Sequence, residues 1–137
     1  MLPREMSVRA IDTNVVARFL LDDDPRQSPI ARGIIAEGVV IPVTVLVEIG
    51  WLLSSSYYRY PPRIVAEILR DFLDLPTVTV MQPQAVDWAL ERAIAGADLA
   101  DMLHLVAAVG ADSFVTFDRG IAKVVAVAPP IPIETLT

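Results

Sequence analysis

The amino-acid sequence predicts an α/β protein whose mostly parallel sheet of four to five short strands carries helices on both faces. Short runs rich in valine and isoleucine alternate along the chain with longer segments whose apolar residues recur at helical spacing. The chain has 137 residues, the usual size of one domain, and 54% of them are hydrophobic, which suffices for a sizeable core. We therefore expect residues 1–137 to form a single domain.

The strands are predicted where β-branched residues cluster between turn-forming residues. Five segments meet this description, the last of them as a short edge strand: residues 7–12, 39–42, 78–81, 113–117 and 131–134. Because helices separate these segments, neighbouring strands are expected to run parallel.

The helices are predicted from apolar spacing and from residues that begin or end helices. Asp24 before Pro25 is typical of a helix start, Thr44 and Asp98 are expected to cap later helices, and Gly38 is expected to end one. The predicted helices cover residues 14–21, 25–37, 45–57, 63–73, 83–95 and 99–109, and a short helix follows residue 119.

Four carboxylates stand in apolar surroundings along the chain. Asp12 and Asp118 each end an apolar strand, Glu48 is the only charge between residues 39 and 58, and Asp101 opens an apolar helical run. An unpaired buried charge costs several kcal/mol, so we expect these acids to be gathered around a cation. The carboxyl ends of parallel strands meet at one edge of a sheet, which allows all four to converge there.

Mg²⁺ and Mn²⁺ prefer such hard oxygen ligands, and four acids can hold one ion or two. Asp98 shares a helix face with Asp101, three residues later, and is a fifth candidate ligand. Four polar residues are expected to support the ligands by hydrogen bonding or by sharing their face: Thr13, Asn14, Thr44 and Thr116.

Each of these residues also has a structural interpretation. Asp12, Asp98 and Asp118 suit helix caps or turns, Asp101 suits the first turn of a helix, and Glu48 could pair with a buried arginine such as Arg18. The single histidine, His104, is expected to be packed and hydrogen-bonded on a helix face rather than to bind metal. The aromatic run at residues 57–60 either stacks on bases or packs a helix end against a proline turn.

The net charge of −6 argues against a basic nucleic-acid-binding face. Two bound divalent cations would reduce this charge to −2 and one to −4, so a metal-dependent nuclease remains compatible with it. The chain has no cysteine, which fits a reducing cytoplasm. We also expect no secretory signal and no membrane span, since no apolar run approaches 18 residues.

Four motifs in this order resemble those of PIN-domain ribonucleases, and most closely those of VapC-type toxins of type II toxin–antitoxin modules. The motifs are Asp12-Thr13-Asn14, the apolar helix start from Thr44 to Glu48, residues 97–104 and residues 115–118. The resemblance implies a three-layer α/β/α fold, an RNA substrate, Mg²⁺- or Mn²⁺-dependent endonuclease activity and inhibition by a cognate antitoxin protein. It also implies that Asp12, Glu48, Asp101 and Asp118 form an acidic quartet, with Asp98 as a neighbouring fifth acid.

Two other functions remain open at this point. A magnesium-binding phosphoryl-transfer or receiver-like domain also places aspartates at strand ends, and a partner-binding module could retain the acids without catalysis. The sequence also leaves open whether Asp98 or Asp101 lies nearer the metal. Apolar helices beyond what one sheet needs suggest a protein partner, and a homodimer is expected through the same surfaces.

Overall fold

The computed structural model describes residues 8–137, apart from the side chain of Val125. Residue 7, where the first strand was predicted to begin, lies outside this range. Within the described residues the strands are β1 (Arg9–Ala10), β2 (Val39–Ile41), β3 (Val78–Val80), β4 (Phe114–Thr116) and β5 (Ile133–Thr135). The helices are α1 (Thr13–Leu21), α2 (Gln27–Ala36), α3 (Val43–Ser54), α4 (Pro62–Leu73), α5 (Pro83–Ile94), α6 (Leu99–Ala107) and α7 (Arg119–Ala122), and a 3₁₀ turn covers Lys123–Val127.

All strand pairs run parallel, and with the helices they form a three-layer α/β/α fold, as predicted. Strand β2 lies between β1 and β3, with Val39 opposite both Arg9 and Val78. Strands β4 and β5 pair with each other, with Phe114 opposite Ile133. Within residues 8–137 the hydrogen-bonded strands thus form a group of three and a group of two, where the sequence suggested one continuous sheet.

Helix α3 is central to the packing, because it contacts α1, α4 and α6. Its buried face carries Leu46, Ile49 and Leu53, which have almost no exposed surface. On the same face, a Cβ atom added to Gly50 would lie 3.3 Å from the Leu99 side chain of α6, so the absent side chain allows α3 and α6 to approach closely. This contact holds the helix of Glu48 against the helix of Asp98 and Asp101.

Most helix boundaries follow the predicted capping residues. The Asp98 side chain caps α6, and Gly38 ends α2 with a φ of 105°, which a glycine adopts without strain. The prediction that Thr44 caps α3 is wrong: the N-cap is Pro42, and the helix starts at Val43 directly after β2. In the part of the chain that the structure describes, none of the helices has both the length and the apolar character needed to cross a bilayer.

Candidate functional site

The site begins where β1 ends, at the turn into α1. Asp12 is the N-cap of α1, and its Oδ1 accepts a hydrogen bond of 3.2 Å from the Val15 backbone N–H. The side chain is exposed to solvent. Because β1 and β2 are parallel neighbours, Asp12 lies at the same edge of the sheet as the start of α3.

Glu48 lies on the second turn of α3 and faces this same edge. The Thr13 hydroxyl donates a 3.0 Å hydrogen bond to Glu48 Oε2, and Asp12, Thr13, Asn14 and Glu48 line one open hollow. We expected Thr13 to support Asp12, but its hydroxyl binds Glu48 instead. The proposed pairing of Glu48 with Arg18 is wrong, because the Arg18 guanidinium binds residues 23 and 27.

Asp98 and Asp101 lie at the start of α6. The Oδ1 atom of Asp98 accepts a 2.9 Å hydrogen bond from the Asp101 N–H, and the Asp101 side chain is half-buried. Burial raises the pKa of the Asp101 carboxyl, and the negative charges of Asp98 and Asp118 raise it further, while His104 opposes the rise. Asp98 and Asp118 therefore lie near enough to Asp101 for their charges to act on its carboxyl.

Asp118 follows β4 and caps α7. Its Oδ1 accepts hydrogen bonds from the N–H groups of Gly120, at 2.7 Å, and Ile121, at 3.3 Å. The Thr116 hydroxyl accepts the Asp118 N–H at 2.9 Å, which steadies the turn between strand and helix. A Cβ atom at position 120 would lie 2.9 Å from Asp118 Oδ1, so the glycine leaves room for this carboxylate oxygen.

Three of the acids thus bind backbone N–H groups through Oδ1 alone. In Asp12, Asp98 and Asp118 the second oxygen, Oδ2, makes no hydrogen bond to another group within residues 8–137. A carboxylate offers about four lone-pair positions, so a capping carboxylate can still bind a cation. The capping and metal-binding interpretations of these residues are therefore compatible.

The expectation that the acids are buried is wrong. Asp12, Glu48, Asp98 and Asp118 are exposed, and Asp101 alone is half-buried. Glu48 has apolar neighbours in sequence, but these turn inward around α3 while the glutamate stays on the outer face. His104 is also exposed, contrary to the packed position that we expected.

None of the five acids forms an ion pair with an arginine, lysine or histidine within residues 8–137. The acids that do pair lie elsewhere on the surface, at Asp22, Asp23, Glu37, Glu67, Asp87 and Glu91. Five unneutralised carboxylates near hydroxyl groups form an all-oxygen donor set, which fits Mg²⁺ or Mn²⁺. Their net negative charge would be relieved by a bound cation.

The described residues do not, however, bring three of these side chains close enough together to form a complete set of metal ligands. The acids lie in two groups. Asp12 and Glu48 share the first hollow, and the charges of Asp98 and Asp118 act on the carboxyl of Asp101. Thr44, predicted as a supporting residue, is exposed one helical turn before Glu48.

Sequence reasoning missed one residue at this site, Trp51. It lies three residues after Glu48 on α3 and borders both the hollow of Asp12 and a second hollow that includes Asp98. The spacing of three from Glu48 was a signal that could have identified it, because residues three apart share a helix face.

Comparison with known families adds one result. A family model described as PIN domain matches residues 10–127 of the chain, which covers all five acids. No curated protein and no solved structure matches the chain.

Proposed function

The chain belongs to the PIN domain family, and from this membership we propose that it is a metal-dependent endoribonuclease that acts as the toxin of a toxin–antitoxin pair. PIN domains are in general metal-dependent nucleases that hydrolyse phosphodiester bonds of RNA or DNA. The observation that supports a nuclease most directly is the set of five carboxylates without basic partners among residues 8–137. The choice of RNA as substrate and the toxin role rest on the resemblance of the sequence motifs to those of VapC-type toxins.

We assign the cation to Asp12, Glu48, Asp101 and Asp118, with Asp98 beside them. When bound, Mg²⁺ or Mn²⁺ supplies positive charge to the scissile phosphate and lowers the pKa of a water molecule. The chain's own residues orient the ligands before the cation arrives. The Thr13 hydroxyl restrains Glu48, and backbone N–H groups hold one oxygen of each capping aspartate.

The proposed antitoxin would occupy the hollow between α1 and α2. Val15, Ile30 and Ile34 line this hollow, and Asp12 lies at its border. Ile30 is 59% exposed, so it gives the hollow an accessible apolar wall. A peptide with apolar residues for the hollow and an arginine for Asp12 would cover both.

Other parts of the proposal concern assembly and place of action. The same apolar surfaces are proposed to serve a homodimer, together with Ile64 of α4, which is 38% exposed. The proposed location is the cytoplasm, where cellular RNA and a newly made antitoxin would both be present.

The experiment that tests the function is RNA cleavage by the purified chain with Mg²⁺ or Mn²⁺ and with chelator. We expect cleavage with either metal and none with chelator. Asp12→Asn should reduce the rate by about 100-fold or more, since it removes a ligand charge that stabilises the transition state. Asp71→Asn is the matched control, because Asp71 is an exposed acid of α4 outside both hollows.

The outcomes separate the parts of the proposal. Equal RNA degradation by the wild-type chain, Asp12→Asn and a chelated sample would show a contaminating nuclease and contradict the assignment. Cleavage of DNA but not of RNA would support a nuclease function and contradict the choice of RNA as substrate. Growth arrest on expression of the wild-type chain but not of Asp12→Asn would support the toxin role, and normal growth with both would contradict it.

A further inference from the structure

Trp51 is a large apolar side chain left in solvent at the border of the acidic site. Its exposed fraction is 61%, whereas Trp88, the other tryptophan, is half-buried and donates its indole N–H to the Val127 carbonyl at 2.7 Å. Leaving an indole exposed forgoes part of the largest burial contribution that any side chain offers. The indole is therefore accessible to a ligand at the border of the site.

The geometry of α3 places this indole beside the site. Thr44, Glu48 and Trp51 are spaced by four and three residues and form the exposed face of the helix, while Leu46, Ile49 and Leu53 form the buried face. The α3 backbone is regular and anchored by its buried face. The backbone of Trp51 is thus held at a constant position relative to that of Glu48, and both side chains start from the same face of the helix.

Two hollows meet at this side chain. The first contains Asp12 and Glu48, the second lies between α3 and α6 and includes Asp98, and Trp51 is the residue that borders both. A nucleic-acid strand whose phosphate reaches the carboxylates of both groups would therefore pass next to the indole.

We propose that Trp51 is a substrate-positioning residue whose indole stacks on a nucleobase beside the scissile phosphate of a single-stranded substrate. This inference rests on the proposed nuclease function and adds the way in which the substrate is held. Stacking needs an accessible aromatic face and tolerates any base, because every base has a π face.

The charge of the chain makes such a contact more important than in a basic nuclease. With a net charge of −6, the protein gains little from the release of counterions from phosphates. Base stacking is not electrostatic, so it provides affinity that an acidic surface cannot. A corollary is that binding should depend only weakly on salt concentration.

The first test compares steady-state kinetics on single-stranded RNA for Trp51→Ala, Trp51→Phe and Trp88→Phe. Loss of one stacked base should raise KM by about 5-fold to 150-fold in Trp51→Ala, with a smaller effect on kcat. Trp51→Phe should recover most of the loss because phenylalanine retains an aromatic face. Trp88→Phe is the control, since Trp88 lies on α5 and borders neither hollow, and its KM should not change.

A second test reads binding without cleavage. In the double variant Asp12→Asn/Trp88→Phe the emission comes from Trp51 alone, and a single-stranded RNA oligonucleotide should quench it. An abasic sugar–phosphate strand of equal length should not. Circular dichroism of the double variant verifies that the loss of the Trp88 hydrogen bond leaves the fold intact.

These outcomes distinguish the inference from the function on which it rests. An unchanged KM in Trp51→Ala, an equal loss in Trp88→Phe, or equal quenching by the abasic strand would each overturn the stacking role and leave the proposed nuclease function unaffected. Quenching that follows protein concentration without RNA would show that a second copy covers the indole, which also overturns it. If the wild-type chain cleaves no RNA, the proposed function fails by itself, whatever the quenching shows.

Discussion

The glycine after Asp118 gives a test of the site that changes no charge. In Gly120→Ala, the new Cβ would lie 2.9 Å from Asp118 Oδ1, whereas an ordinary contact begins at 3.4 Å. The oxygen must therefore retreat by the difference, about 0.5 Å, and its hydrogen bonds to the N–H groups of residues 120 and 121 lengthen. Since a misplacement of 1 Å can cost about 100-fold in rate, we expect kcat to fall by about 10-fold.

The stability of this variant should change little. Weakening the cap of α7 costs about 0.5–2 kcal/mol, and replacing a helical glycine by alanine returns about 1 kcal/mol, so the net change stays within about 1 kcal/mol. The melting temperature should then move by no more than about 4 °C. The assay pairs a thermal melt with metal-dependent cleavage of RNA.

Gly33→Ala is the matched control, because nothing lies within 4 Å of a Cβ at that position of α2. It should gain about 1 kcal/mol of stability and keep full activity. Wild-type kcat in Gly120→Ala would refute the role of Asp118 in the site. A melting temperature lowered by about 10 °C or more would show that the glycine serves the fold rather than the carboxylate.

Two further predictions concern the pH dependence of stability. The pKa of Asp101 lies above its usual value, so its ionisation destabilises the metal-free native state, and this penalty appears as the pH rises above about 4. Asp101→Asn should melt at a higher temperature than the wild-type chain at pH 7 in chelator and at the same temperature at pH 3; a lower melting temperature at pH 7 would contradict this. The N–H groups of Gln27 and Arg26 lower the pKa of Asp24. The ionised carboxylate therefore stabilises α2 at pH values above about 4, the pKa of an unfolded aspartate. This stabilisation is lost as the pH falls through the lowered pKa of the folded state. Asp24→Ala should melt below the wild-type chain at pH 7, and a difference that persisted undiminished at pH 2 would argue against the capping role.

The local features of the site could be read from the sequence. Asp98 was recognisable as a cap because it precedes an apolar helical run, and Asp12 and Asp118 were recognisable at strand ends because short runs of β-branched residues precede them. Such signals depend on a few adjacent residues. The order of elements follows from the same local rules.

The features that sequence reasoning missed depend on contacts between distant segments. The Thr13 hydroxyl binds Glu48, 35 residues away, and no local pattern distinguishes that partner from the neighbouring Asp12. The division of the strands into two groups likewise arises from pairing between segments far apart in sequence. Thr44 was mistaken for a cap because a proline in extended conformation at position 42 leads directly from strand into helix.

Asparagine and aspartate cap helices equally well, so the helix starts that build this site do not depend on its negative charge. Replacing the carboxylate by an amide at residue 12, 98 or 118 would remove the negative charge of that residue and keep the helix cap. Alanine would remove both the charge and the cap. Amide variants are therefore the appropriate inactive controls for this site. The same substitution also offers natural descendants of this chain a short route from enzyme to non-catalytic binding protein.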